Sequence, residues 1–387
     1  MNTPVNSLST KGISNKVKAV AILVIIIVAV AGAYAYLTRP NEGTQPITIS
    51  TTSSVYETSS IETSVATLYG ERKSLIVSTT TSFYETGFLD VVKAAFEKRY
   101  PNINVSFISQ GTGLAIQTAM RGDADMILVH DPPSELNFLK GGYGVNRKIV
   151  AYNFFVIVGP ADDPARIKGL STLDAMRQIK IRGEAGYASW VSRGDGSGTH
   201  SKEKRLWTAA GYSSTVLRNE AWYFEAGSGM TATLKMADEK SAYTITDLGS
   251  YLMNYQKGNI QLVVLIQGGY DLLNVYSAIA CDPRNPNTNK ANFEADMKFI
   301  DYLASDEGQA LFDSFGRDQY GQSLFKPAVK LLKTDTSSTD AKWIKQYAID
   351  PFGGSECPPQ YKYEAGDLYM MMSIPATTMR LETSILT

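Results

Sequence analysis

The stretch Val191-Ser192-Arg193-Gly194-Asp195-Gly196-Ser197-Gly198-Thr199-His200 sets three glycines, three hydroxyl side chains and a guanidinium ahead of Lys202-Glu203-Lys204-Arg205-Leu206-Trp207-Thr208-Ala209-Ala210, a segment of helical character. Ser197 is placed to cap that helix, its hydroxyl taking an amide of the first turn. The glycines let the backbone come close to a bound group and turn N–H groups toward it. Amides, hydroxyls, the positive end of a helix dipole and an arginine together make an anion site. A glycine turn that merely caps a helix has the same local sequence, so the surrounding chain has to decide.

Around it the pattern is strand, small-residue turn, helix. Leu75-Ile76-Val77 reads as a strand ending in Ser78-Thr79-Thr80-Thr81-Ser82, and Phe88, Leu89, Val92, Ala95, Phe96 and Tyr100 follow at helical spacing up to Pro101. Ile103–Ile108 predicts a strand, Gly111-Thr112-Gly113 a turn and Leu114–Met120 a helix; Asp125–Val129 is another strand, ending at His130. Phe154–Gly159 is a strongly apolar strand, Glu220–Phe224 leads through Gly227-Ser228-Gly229 to a helix, and Tyr243–Asp247, Leu262–Ile266 and Val275–Ala280 are β-type. Residues 290–315 read as amphipathic helix. Strands alternating with helices predict parallel, doubly wound α/β sheets whose ligand loops lie beyond the strands' C-terminal ends. A chain that leaves one such domain, builds a second and returns makes a two-lobed clamp, with hinge strands near 155–160 and 274–280. The boundaries read as lobe 1 over 73–157 and 276–330, lobe 2 over 158–275, and a C-terminal extension over 331–387.

Bulk chemistry narrows the function. The 387 residues carry 37 Lys+Arg and 38 Asp+Glu, a net charge of −1, which gives no basic field for nucleic acid. Two histidines (His130, His200) and two cysteines (Cys281, Cys357) cannot build a Cys/His zinc centre and leave few candidates for a His-based triad. No metal or other cofactor is expected, and the chain does not read as an enzyme.

The N-terminal 1–38 reads as a signal or membrane anchor. Ala19–Leu37 is uncharged and apolar, long enough at about 1.5 Å per residue to cross a bilayer. Lys11, Lys16 and Lys18 precede it, so its N-terminal side stays inside and the rest is exported. Lys11-Gly12-Ile13-Ser14 resembles the archaeal pilin-type signal, which implies cleavage after Gly12 with the apolar helix retained; a cleavable secretory signal is the competing reading. Residues 39–72, rich in Ser and Thr, read as an extended stalk. The protein is therefore expected outside the cytoplasm, anchored to the cell membrane.

The Ser-Thr-Thr-Thr-Ser turn, Ser192–His200, the segment Gly141–Arg147, Phe155–Pro164 and Tyr243–Asp247 together resemble one family, from about Leu75 to Pro327. It is the tungstate-binding component of ABC importers, of type II periplasmic-binding-protein fold. The resemblance implies an oxyanion held by Thr80, Thr81, Ser82, Ser192, Arg193, Ser197, Gly198 and Thr199, and delivery to an ABC permease by a monomeric protein. To these the Gly111-Thr112-Gly113 turn adds Thr112. Tungsten would enter only as the oxyanion, with molybdate as a second ligand. A tetrahedral dianion offers only acceptors, so its site should be all donors, with helix N-termini after Ser82, Gly113, Ser197 and Gly229 sharing the charge.

Asp195 leaves an alternative open. Phosphate-binding proteins of this fold carry a similar loop whose Asp accepts the proton of hydrogen phosphate; Asp195 could do that, pair with Arg193, or cap the turn. A surface hydrolase of oxyanion esters would need a metal or an activated nucleophile that the sequence does not suggest; a stalked adhesive protein without a ligand is a third reading. In the extension, Trp343, Ile344, Tyr347 and Ile349 suggest a packed helix, and Leu368–Met372 a buried segment. A Cys281–Cys357 bridge would tie the extension to the returning strand; two free buried thiols are the alternative.

Overall fold

The computed structural model describes residues 73–369. The expected anchor, the stalk and Met370–Met372 lie outside them. Among the described residues no helix is long and apolar enough to cross a membrane.

Strand β1 (Lys73–Thr80) leads through a five-residue helix α1 (Thr81–Glu85) to α2 (Phe88–Arg99). Then follow β2 (Ile103–Gln110), α3 (Thr112–Met120), β3 (Met126–Val129), α4 (Pro132–Lys140) and the sixteen-residue β4 (Gly144–Gly159). β1 pairs in parallel with β2 and with β3. β3 is wholly buried, which is why Met126-Ile127-Leu128-Val129 is continuously apolar rather than alternating.

The next elements are α5 (Thr172–Glu184), β5 (Trp190–Ser192), α6 (Gly198–Ala209), α7 (Ser214–Leu217), β6 (Tyr223–Glu225), α8 (Met230–Glu239), β7 (Thr244–Asp247), α9 (Leu248–Gln256) and β8 (Val263–Gln267). β5 pairs in parallel with β6, and Trp190 forms a parallel bridge with Tyr243. A 3₁₀ turn at Tyr270–Leu272 leads into β9 (Leu273–Cys281).

The parallel pairing expected from the strand–helix alternation holds for β1, β2 and β3 and for β5 and β6, and the crossing strands depart from it. β9 runs antiparallel to β3 and to β4, and β7 and β8 run antiparallel to β4. The reason lies in the crossings, because strands that carry the chain out and back must run in opposite directions. β4 pairs with β9 from Gly144 to Phe154 and with β7 and β8 from Phe155 to Gly159, so its partners change between Phe154 and Phe155. One apolar cluster, with Leu75, Phe83, Phe88, Phe96, Tyr276 and Phe299, lies under β1; another, with Ile157, Met176, Trp190, Trp207 and Tyr243, lies beyond the change of partners.

The 290–315 region resolves into α10 (Phe293–Ala304) and α11 (Asp306–Ser314), with Ser305 capping the second. After α12 (Arg317–Tyr320) and β10 (Lys326–Pro327), the C-terminal segment forms α13 (Val329–Thr334), α14 (Thr339–Ile344) and a π-helical turn Lys345–Ile349. Ile344 and Ala348 pack on Ile149, Tyr152, Leu273 and Val275 of β4 and β9. Buried Arg147 fixes this segment: it pairs with Glu135 at 2.8 Å, donates to the carbonyls of Ala348 and Glu356 at 2.9 Å each, and lies 3.9 Å from the centre of the Phe352 ring.

The Cys281–Cys357 bridge is absent. Both thiols are free and buried: Cys281 faces the Ala124 carbonyl at 3.4 Å and Cys357 the Tyr361 carbonyl at 3.5 Å. Burial pushes both thiols above their ordinary range, which disfavours the reactive thiolate.

Candidate functional site

The hydroxyl run is divided between two elements. Ser78, Thr79 and Thr80 end β1, and Thr81 and Ser82 open α1. Thr79 Oγ1 is used structurally, donating to the Leu128 carbonyl at 2.8 Å. α1 is pinned by Phe83, whose ring lies 4.6 Å from Tyr276 and 4.9 Å from Phe325, so Thr80–Ser82 are held by an aromatic cluster beneath them. The helix expected after Ser82 therefore begins at Thr81 and runs only to Glu85, too short for much of a macrodipole.

Opposite stands the turn after β5. Gly194 and Gly196 take φ of 63° and 71°, a left-handed conformation that glycine adopts without cost. Ser197 caps α6, accepting from the His200 amide at 3.2 Å. Behind the turn, Trp190 and Trp207 pack edge to face at 5.2 Å. Arg193 is buried and ion-pairs with Asp195, its Nε lying 3.2 Å from Asp195 Oδ2. Asp195 Oδ1 accepts from the Ser197 amide at 3.1 Å. Of the three roles left open for Asp195, the structure thus has it pairing with Arg193 and capping the turn.

The two sides meet. Arg193 Nη2 lies 3.5 Å from Thr81 Oγ1. A Cβ added at Gly198 would sit 2.8 Å from both Thr112 Oγ1 and His130 Cε1, and one at Gly113 would lie 3.5 Å from the Gly196 carbonyl. The N-termini of α3 and α6 therefore face each other closely. Glu85 accepts from Thr231 of α8 at 3.3 Å, bringing that helix start to the same place.

Three of the expected donors, Thr80, Thr112 and Thr199, are buried and have no hydrogen-bond partner for Oγ1 among the described residues; Ser78 Oγ is in the same condition. Buried hydroxyls are normally satisfied, and each orphan costs on the order of 1–3 kcal/mol. Thr112 and Thr199 stand in the first turns of the two facing helices, and Thr80 precedes Thr81, the neighbour of the Arg193 guanidinium, so these three hydroxyls are donors open to an acceptor-only group.

Ser192 departs from the expected set of free donors. Its hydroxyl donates to Glu203 at 2.9 Å and accepts from the Gly194 amide at 3.2 Å. It holds the turn. Glu203, which the sequence reading passed over, also accepts from Trp190 Nε1 at 2.8 Å and Tyr223 Oη at 2.6 Å. Burial raises its carboxyl pKa against the pull of those donors. Its only signal in the sequence was its place on the helix that the motif opens. His130, which ends the strand expected at 125–129, is buried beside Ser82 and Gly198. Asp247 caps α9 through Oδ1, leaves Oδ2 unpartnered among the described residues, and has its pKa raised by burial. The described residues hold no cluster of three or more His, Cys, Asp or Glu suited to a metal ion. A cavity of about 450 Å³ lies elsewhere, lined by Leu332, Lys333, Lys345, Lys362 and Tyr369 among others, and none of its lining residues belongs to these turns.

A family model described as a PBP superfamily domain matches residues 39–307. The chain belongs to the PBP superfamily. Within it, a putative ABC transporter anion-binding protein of Haloferax volcanii is 43% identical over 291 residues, 73% of this chain and 72% of the relative. Tungstate-binding protein TupA of Peptoclostridium acidaminophilum is 38% identical, over 66% of this chain and 85% of its own. Among solved structures, the tungstate-binding protein TupA from Desulfovibrio alaskensis superposes with a TM-score of 0.56 at 38% identity, covering 66% of this chain and 98% of that one. The tungstate ABC transporter structure from Geobacter sulfurreducens gives 0.55 at 40%, covering 62% and 97%. This PBP superfamily member thus has the two-lobed α/β architecture of type II periplasmic binding proteins. Its C-terminal segment beyond residue 307 lies outside the family match.

Proposed function

We propose that the chain is an extracytoplasmic solute-binding protein that captures tungstate, and molybdate as a close analogue, between two lobes and hands it to an ABC permease. The observation that carries this is the set of buried, unpartnered hydroxyls of Thr80, Thr112 and Thr199, with Arg193 against the neighbouring Thr81. A donor-only site suits a fully deprotonated tetrahedral oxyanion. Thr81, Ser82, Ser197 and the amides from Gly198 onward would complete it, with lobe 1 spanning 73–157 and 276–330 and lobe 2 spanning 158–275. The related tungstate-binding proteins agree with this reading. The protein would work as a monomer, held at the membrane by the apolar segment in 1–38.

Hydrogen phosphate is the second reading, because it needs an acceptor for its proton and Asp195 is the candidate. Arg193 occupies Asp195 Oδ2, while Oδ1 accepts from the Ser197 amide and keeps a lone pair for such a proton, so the titration below has to separate the two readings.

Trp190, Trp207 and Trp222 lie in one aromatic group behind the turn, so their fluorescence should report on the site. Titration of the full-length chain with tungstate, molybdate, sulfate and phosphate separates the readings. Saturation by tungstate and molybdate at far lower concentration than by phosphate is expected; saturation by phosphate first would favour the second reading.

A further inference from the structure

The orientation of His130 is set by a hydrogen-bond chain anchored on a backbone carbonyl. Asn153 Nδ2 donates to the Leu324 carbonyl at 3.2 Å, which can only accept. Asn153 Oδ1 therefore faces Asn274 Nδ2, at 2.9 Å, and that same Nδ2 lies 3.0 Å from Tyr276 Oη. Asn274 Oδ1 is left as the acceptor facing His130 Nδ1 at 2.9 Å. The ring proton thus sits on Nδ1, and Nε2 presents a lone pair to Ser82 Oγ at 3.5 Å. Asn153 and Asn274 are register partners on β4 and β9 beside the change of strand partners, so the tautomer is fixed by the framework itself.

This has a consequence for an anion. While Nε2 is a lone pair, the Ser82 hydroxyl points its proton at the ring and turns acceptor lone pairs elsewhere, the wrong polarity for a site of donors. The charges facing His130 do not favour a dianion unaided. Arg193 is matched by Asp195, and Arg205 is matched by Asp131 at 2.7 Å. From β9 comes the uncharged Tyr276 ring, at 5.1 Å, and from β4 the Phe155 ring, at 6.1 Å. Asp247, whose field reaches Arg193 and Tyr276, adds no positive charge. Burial holds the His130 pKa down to about 4, with Arg193 and Arg205 also lowering it and Asp131 and Asn274 opposing.

We propose that His130 is a proton-accepting residue of the oxyanion site, taking up one solvent proton at Nε2 when a dianion enters. The new Nε2–H donates to Ser82 Oγ, and the Ser82 hydroxyl proton swings to the anion. One N–H bond forms at the ring, the proton comes from the buffer, and no bond of the oxyanion changes. The inference rests on the oxyanion reading above.

Calorimetric titration of the full-length chain with sodium tungstate at pH 6, in buffers of different protonation enthalpy, tests it. Uptake approaching one proton per tungstate is expected, with affinity rising by up to about tenfold for each unit of falling pH. His130→Gln, whose amide donates to Ser82 without a proton, should bind with uptake near zero and a flat pH dependence. The chain has two histidines, so ring-nitrogen NMR of the wild type gives a readout independent of the variant's folding: an Nδ1–H neutral ring without tungstate and a doubly protonated ring with it. Binding without proton uptake, unchanged uptake in His130→Gln, or a neutral ring in the complex would overturn the inference alone. No tungstate binding at all would remove the oxyanion reading and this inference with it.

Discussion

Thr112 and Thr199 carry opposite consequences for folding and for binding. Each is a buried hydroxyl without a partner among the described residues, so exchanging it for a methyl removes an unsatisfied group from the interior. Thr112→Val and Thr199→Val should therefore leave the thermal midpoint unchanged or raise it. If each hydroxyl donates to a charged oxyanion, the same changes should weaken tungstate binding by about tenfold or more, at roughly 1.5–3 kcal/mol per charge-assisted hydrogen bond. Melting curves and titrations on the same samples check both signs. Gly198→Ala acts differently, since its new Cβ would meet Thr112 Oγ1 and His130 Cε1 at 2.8 Å. It should hold the facing turns apart and cost affinity while the protein still folds. At this scale the Ser197 cap was legible, because its signal is local. The engagement of Ser192 by Glu203 and the tautomer of His130 were not legible, because neighbours far away in the chain decide them.

Among the elements, α6 does two jobs. Its N-terminus forms one side of the site, and its next turn places Lys202 and Arg205 against the C-terminal segment. Lys202 is buried, donates to the Leu273 carbonyl at 3.0 Å and lies 4.7 Å from the centre of the Tyr347 ring. Arg205 donates to Tyr347 Oη at 3.1 Å. Burial lowers the Lys202 pKa to about 7. A cation with a depressed folded pKa costs stability below its unfolded pKa, so this contribution falls as pH drops from the ordinary lysine range toward 7. Lys202→Met should raise the thermal midpoint at pH 7, and the gain should shrink as pH approaches 10. A gain that grows with pH would contradict the assignment. The helices of 290–315 were legible from their apolar spacing. The antiparallel pairings of β4 were not, since strand direction depends on where the chain returns and not on local periodicity.

For the whole molecule, β4 is the strand that pairs with β9 over its first part and with β7 and β8 over its last, and Arg147, Glu135 and the C-terminal segment brace its first half. The two-lobed plan was legible from the order of strands and turns. The bracing was not, because the carbonyls that Arg147 meets, those of Ala348 and Glu356, lie far along the chain from it. The central claim is that Arg193 and the unpartnered hydroxyls of Thr80, Thr112 and Thr199 hold one oxyanion. The direct test is calorimetric titration of the full-length wild-type chain and of Arg193→Ala with sodium tungstate. The account expects one tungstate bound tightly per wild-type chain and loss of high-affinity binding in Arg193→Ala with the fold retained; equal affinity in the two proteins would contradict it.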